Sequence, residues 1–324
     1  MRRHTRRLIV GSAGSANSFG TIQSVRDRWG DSVFIIAIDT NPRELVAASV
    51  LADAFVRVPS ARSPEFPDAL RQIAASYPGS SYLPMHDEEI EAAARVARDG
   101  RLPPDLDLAA PSYEIVRLCG DKWAMHQWLR ANGLPSPETA LATPDARERM
   151  QAPLVLKPRE GCAAAPAPLV RGAVDLANLD PSHWLLQEQL REPEVGIDVF
   201  LGRRSGAFCC VCREYFERKA SVAMKVRVFH DPALARLVER LARGLPLFGA
   251  FLVQLMQDAA SRWQIVDVNP RVGSGTRMSA AVGLDFAAAN LADHWAEPTD
   301  SLLKPLMGEH YVARQYADYV TSRP

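Results

Sequence analysis

Two apolar periods alternate along the first hundred or so residues. The runs "RRLIVGS", "SVFIIAID", "ADAFVRVP" and "SSYLPM" are short and dense in branched or aromatic side chains, and they read as strands. Between them, "FGTIQSVRDRW", "PEFPDALRQIAASY" and "DEEIEAAARVARDG" carry apolar residues three and four apart and read as helices, the last with a glycine stop. Strand–helix alternation predicts a parallel, doubly wound sheet. At "LPPDLDLAAPS" the chain becomes proline-rich, which predicts a domain boundary near residue 110.

The pattern then changes. From Glu114 one helix reads through "DKWAMHQWLRANG", with Leu118, Trp123, Met125, Trp128 and Leu129 as core positions and Gly133 as its stop. After the turn "LPSPET" come a buried strand "APLVLKP", a loop "EGCAAAPAPLV", and the strands "HWLLQEQL", "VGIDVFLG" and "GAFCCVCREYF". "PALARLVERLARG" is an amphipathic helix, and "GAFLVQLMQD" and "RWQIVDVNP" read as a strand pair around "AASR". The expected fold class is α/β followed by α+β.

Within "IVDVNPRVGSGTRMS" (Ile265 to Ser279), Asp267, Asn269 and Arg271 occupy alternate positions. Alternate residues of a strand share one face, so an acid and an amide lie side by side, with a guanidinium beyond Pro270 at the strand's end. Two oxygen donors in such a row suit a hard cation that also takes phosphate oxygens. Gln254 is polar within the apolar "FLVQLM". Antiparallel pairing of that strand with "QIVDVNP" would turn Gln254 toward Asp267 and Asn269. Lys157 ends the "LVLKP" strand, where an inward amine needs an anion, and Lys122 stands at a helix start in "LCGDKW".

Composition narrows the field. The 324 residues suggest two or three domains, and Lys+Arg equal Asp+Glu at 38 each. A neutral balance gives no electrostatic case for nucleic acid. No stretch approaches the roughly 20 apolar residues of a membrane span, and the apolar run behind "RRHTRR" ends too soon for a secretory leader. Five unevenly spread cysteines argue against a disulfide framework and fit a reducing cytoplasm.

Taken together and in order, "RLCGDKWAMHQWLRANGLPSPET", "PLVLKP", "LLQEQLREPEVGIDVF", "GAFLVQLM" and "IVDVNPRVGSGTRMSAAVGLDF" resemble the ATP-grasp ligases, in the branch of the carbamoyl phosphate synthetase large subunit and biotin carboxylase. The resemblance implies a Rossmann-like domain over 1–110, an ATP-grasp small lobe and linker over 111–184, a large lobe over 185–300 and a C-terminal segment over 301–324. It implies an ADP-forming ligase that joins a small-molecule carboxylate to an amine through an acyl-phosphate. Residue by residue, Lys122 and Lys157 match the lysines on the ATP phosphates. Gln187, Glu188 and Leu190 match the hinge beside adenine, and Glu194 matches the ribose-binding acid. Gln254, Asp267 and Asn269 match the ligands of Mg²⁺, for which Mn²⁺ is an alternative. Arg271 matches the arginine facing the acyl-phosphate. Arg277, in the "GSGTR" loop, offers a fork for a substrate carboxylate or phosphate. The resemblance leaves oligomeric state open, a homodimer included.

Two positions depart from the family. Asp267 stands where a glutamate is usual. The loop after Lys157, normally glycine-rich, reads "REGCAAAPAP", with Gly161 its only glycine and with Pro166 and Pro168 lacking the N–H that a phosphate would meet. That loop motivates a second expectation, a nucleotide-binding protein of the same fold without turnover. A third, an NAD-dependent oxidoreductase, rests on Gly11, Gly14 and Gly20 with Asp39 ending the next strand. Cys210 and Cys212 read as buried apolar residues. The acids of "HDEEIE" read as a first helical turn facing the helix dipole. Arg218, Lys219, Lys225 and Arg227 read as a solvated strand edge or a phosphate-steering loop.

Overall fold

The computed structural model describes residues 6–150, 153–161, 169–170, 176, 179–219 and 222–322. The "CAAAPAP" stretch, with Pro166 and Pro168, lies outside the described residues.

The N-terminal part runs β1 (Arg6–Val10), α1 (Ala16–Trp29), β2 (Val33–Asp39), β3 (Ala54–Arg57), α2 (Phe66–Ser76), β4 (Ser80–Leu83), α3 (Asp87–Arg98) and β5 (Leu106–Leu108). These strands form a parallel sheet in the order β3-β2-β1-β4-β5. Its interior strands are apolar because both faces are covered. The proline-rich stretch taken as a boundary therefore contains the sheet's edge strand, Leu106–Leu108. Three residues between prolines are too few to show a period.

Next come α4 (Tyr113–Gly120), α5 (Lys122–Ala131), β6 (Thr139–Leu141), α6 (Pro144–Arg149), β7 (Leu154–Pro158), β8 (Leu169–Val170) and β9 (Trp184–Glu188). Four strands pair antiparallel in the order β6-β9-β7-β8. The single helix expected from Glu114 is two. Asp121 leaves helical geometry at φ −101°, ψ 102° and caps α5, accepting from the Trp123 and Ala124 N–H groups at 3.0 and 3.1 Å. It also bridges in β fashion to Glu160 and pairs with the Arg159 guanidinium at 2.6 Å. The apolar spacing runs through the break unaltered, so periodicity alone reads one helix.

The last part is β10 (Arg191–Leu201), β11 (Phe208–Lys219), β12 (Val222–Phe229), α7 (Pro232–Gly244), β13 (Gly249–Gln257), β14 (Trp263–Asn269), α8 (Thr276–Ala280), α9 (Phe286–His294) and β15 (His310–Ala313). A six-stranded antiparallel sheet has the order β14-β13-β10-β11-β12-β15. On one face Val195, Ile197 and Val199 of β10 pack with Phe251 and Val253 against Leu234, Val238 and Leu241 of α7 and Met125 and Leu129 of α5. Residues of the opposite parity, Glu194, Gly196 and Asp198, turn to the other side. There a second core joins Phe200 and Val226 to Leu8, Val10 and Ile22 of the N-terminal part through Phe286 and Leu291 of α9. β15 covers β12, so the basic stretch read as a solvated edge is an interior strand. Arg227 pairs with Glu214 and Glu309, and Lys225 with Glu217.

Asp121 yields a test. Burial raises its pKa, but Arg159 and the two capping N–H groups outweigh this and hold it below the usual carboxylate range. A depressed acid contributes stability above its unfolded pKa, and loses it as pH falls through the folded value. Asp121→Asn should lower melting temperature at pH 7 by the equivalent of about 1 kcal/mol or more. The gap from the parent should close below about pH 4. Melting curves of both proteins from pH 3 to pH 7 check this.

Candidate active site

The face of the six-stranded sheet turned away from α7 is the floor. Register places Asp267 opposite Gln254, Gln254 opposite Gly196, and Gly196 opposite Arg213, so one row crosses β14, β13, β10 and β11. Asn269 lies one pleat further along β14. Its amide nitrogen donates to Gln254 Oε1 at 3.1 Å and reaches Asp267 Oδ2 at 3.4 Å. The three residues expected to gather do so, around one amide. A half-turn of the Asn269 amide would present its oxygen to the same point.

Two lysines approach from the roof. Lys157, at the end of β7, is half-buried and donates to Gln187 Oε1 at 2.6 Å. Burial lowers its pKa, and Lys122 adds to this, while Asp267 and Glu194 act in the opposite sense. Lys122, the first residue of α5, donates to the Gly161 carbonyl at 2.6 Å. Asp267 is the complement. Burial raises its pKa, as does Asp87, while Lys122, Lys157 and Arg271 pull it down. A carboxylate so placed calls for more positive charge than the side chains supply. One acid and two amides, all oxygen-bearing, fit a hard cation. Among the described residues no group of three or more His, Cys, Asp and Glu side chains forms a metal cluster.

The remaining expected residues divide. Gln187 is buried in β9, where its amide donates to Thr139 Oγ1 at 3.1 Å. Glu188 exchanges backbone contacts with Glu138 and accepts from its N–H at 2.9 Å. Leu190 lies in the two-residue step from the four-stranded to the six-stranded sheet. Glu194 takes a hydrogen bond from Gln254 and an ion pair from Arg218 at 2.5 Å. Arg271 is clamped by Asp87, Nε to Oδ1 at 2.6 Å and Nη2 to Oδ2 at 3.0 Å. Arg277 stands apart on α8, where it meets Asp27 and Ser24 of α1 and Asp285. A cleft of about 270 Å³ is lined by Lys122, Asp267, Asn269, Asp87 and Cys119.

The glycine-rich turn after β1 is arranged differently from a dinucleotide site. A Cβ on Gly11 would fall 1.9 Å from Glu89 Oε1. Glu89 is buried in the crevice between β1 and β4 and accepts from Ser12 Oγ, Tyr82 Oη and the Met85 N–H at 2.8, 2.7 and 3.1 Å. Asp39 is spent on the Gly14 N–H at 2.7 Å and on Asn41. A protein carboxylate thus fills the place a pyrophosphate would take, and the oxidoreductase reading loses its ground.

Residues 119–275 match the ATP-grasp domain family. Over those residues, just under half of its length, the chain is similar to the ATP-grasp domain. Solved structures share the fold. An N5-carboxyaminoimidazole synthetase from Staphylococcus aureus complexed with ADP aligns with a TM-score of 0.73 at 14% identity, over 94% of this chain and 81% of that one. A biotin carboxylase from Campylobacter jejuni aligns at 0.75 and 17%, over 95% and 75%. An L-amino acid ligase from Bacillus licheniformis aligns at 0.69 and 16%, over 94% and 78%. No described helix is long and apolar enough to cross a membrane.

Several residues at or near the cleft escape sequence reasoning. Asp87 reads as an ordinary first-turn acid, yet it holds Arg271 from 184 positions away. Arg213 is fully buried and pairs with Asp198 at 2.7 Å beneath the turn 273–275. Arg314 donates to the Ser274 carbonyl at 3.0 Å, from a segment without any periodic signal. A lone charge within a strand or tail gives no spacing to read.

Because Glu89 closes the crevice, NADH should show no saturable binding, measured by its own fluorescence up to millimolar protein-saturating concentrations. Saturation with an emission shift would show that the crevice opens and restore the oxidoreductase reading.

Proposed function

We propose that the chain is an ADP-forming, ATP-dependent ligase that activates a small carboxylate as an acyl-phosphate and passes it to an amine, working in the cytoplasm. The observation that carries this reading is the meeting of Asp267, Gln254 and Asn269 with Lys122, Lys157 and Arg271, drawn from separate stretches of the chain onto one cleft. The names of the structural neighbours, an ADP complex and an amino acid ligase among them, agree with it.

The side chains divide the work. Gln187, Glu188 and Leu190 line the strand step beside the base, and Glu194 meets the ribose. Lys122 and Lys157 hold the phosphates. Gln254, Asp267 and Asn269 are the residues that would hold Mg²⁺ or Mn²⁺, which supplies charge neutralisation on the transferring phosphoryl group. Arg271, its Nε–Nη2 edge held by Asp87, turns its Nη1–Nη2 edge to the oxygens over which that charge spreads. Asp87 keeps the fork planar to its target. No covalent enzyme intermediate is needed, since the phosphate leaves when the amine attacks. Nucleic acid and membrane have no place in this scheme.

A product-detected screen of amino acid and other carboxylate–amine pairs with Mg·ATP tests the reading. Amide formation with one ADP per bond is expected. AMP and pyrophosphate in equal amounts would rule the scheme out.

Within that scheme, Arg271→Lys should bind Mg·ATP as the parent does and lose about 10²–10³ in turnover, the cost of one preorganised donor. Lysine keeps the charge without the fork. Full specific activity in a variant of lowered melting temperature would make Arg271 a structural clamp for Asp87 only.

A further inference from the structure

The row across the cleft floor is joined by a side chain that no spacing announces. Its third position, between Gln254 on β13 and Arg213 on β11, is Gly196, which presents no side chain. The space is taken by Tyr215, two residues beyond Arg213 on the same face of β11. A Cβ on Gly196 would fall 1.9 Å from the Tyr215 hydroxyl and 2.8 Å from its Cζ. The phenol therefore leans across the sheet and sets its oxygen in line with Asp267 and Gln254, one strand spacing of about 4.8 Å beyond Gln254.

The ring is held there by cations. The Arg218 guanidinium lies 3.8 Å from the ring centroid and that of Arg213 lies 5.7 Å away. Both are fixed by acids of β10, Arg218 by Glu194 and Arg213 by Asp198. The hydroxyl itself enters no hydrogen bond with a described residue. Burial raises its pKa, and Asp198 and Glu194 act in the same sense against Arg213 and Arg218, so the proton stays on at neutral pH. The group is a donor without an acceptor among the described residues, beside the row of Asp267 and Gln254.

We propose that Tyr215 is a further catalytic residue of the cleft, its hydroxyl donating a hydrogen bond to an oxygen of the phosphoryl group in transfer or of the acid that receives it. The assignment rests on the ligase reading above. It makes Gly196 a requirement of the chemistry, because any side chain there would displace the donor.

The test uses the whole chain and Mg·ADP with aluminium fluoride, which imitates a phosphoryl group in flight and needs no known substrate. Tyr215→Phe keeps the ring between its two guanidinium groups. It should bind Mg·ADP as the parent does and bind the fluoride complex about 10- to 100-fold more weakly, the worth of a hydrogen bond to a charged acceptor. Gly196→Ala should give the same pattern by pushing the hydroxyl out of line. Equal fluoride affinity in Tyr215→Phe and parent would overturn the assignment, as would a matching loss of Mg·ADP and fluoride affinity, which marks a packing role. A parent that binds Mg·ADP but gains nothing from fluoride also overturns it, and leaves the nucleotide site standing. A parent that binds no Mg·ADP removes the ligase reading, and Tyr215 with it.

Discussion

The cleft is organised by the charge on Asp267. A carboxylate surrounded by protein is costly unless cations meet it, and here three approach from different elements: Lys122 from α5, Lys157 from β7 and Arg271 from beyond β14. Lys157 belongs to the small sheet, Lys122 to a helix packed on the large sheet and Arg271 to the turn after β14, so the acid ties the small sheet and the large sheet to one point. The lysines in turn oppose one another, which depresses Lys157 beyond the effect of burial. Such a site is balanced only in part by its own side chains. It is suited to a ligand that carries both signs, as a metal–polyphosphate does.

Register is what brings this charge to the right neighbours. A slip of one residue between β13 and β14 would turn Gln254 to the α7 face and Leu255 to the cleft. The bulge between Gln254 and Leu255 absorbs one residue of β14 at that point, keeping Asp267 opposite Gln254 while the rest of the pair stays in register. The apolar positions of β10, β13 and β14 hold the register from the other side, through their contacts with α7. Thus the hydrophobic stripe of "PALARLVERLARG" acts on the chemistry at a distance of one sheet thickness.

Much of this was legible beforehand, and the reason is periodicity. Alternation in "QIVDVNP" put Asp267 and Asn269 on one face, and the lone polar residue of "FLVQLM" marked Gln254 as their partner; the pairing is as expected. The strands and helices of the first hundred residues were readable for the same reason. What periodicity cannot carry was missed. Asp121 breaks a helix without breaking the apolar spacing. β5 has three residues between prolines. The clamp on Arg271 joins residues 184 apart, and the Tyr215 ring matters because of a glycine on another strand. These are facts of tertiary approach. Arg277 shows the converse, since its place in a promising loop did not reveal that α1 would claim it.

The N-terminal part has a place in this scheme without binding a nucleotide. Glu89, in the first turn of α3, accepts three hydrogen bonds from β1's turn, β4 and the Met85 backbone. Burial still raises its pKa above the carboxylate range, so the bonds do not fully offset the loss of water. A group held at such cost fixes its own helix. The start of α3 cannot shift relative to β1 and β4 without breaking all three bonds. Asp87 stands two residues earlier on that same turn, and it is Asp87 that sets the plane of the Arg271 fork. The crevice where a dinucleotide fold holds a pyrophosphate is thus filled by the residue that locates Asp87, and through it Arg271. On this argument the parallel sheet is the rigid frame against which Arg271 is aimed, and its glycine-rich turn serves the approach of Glu89 rather than of a cofactor.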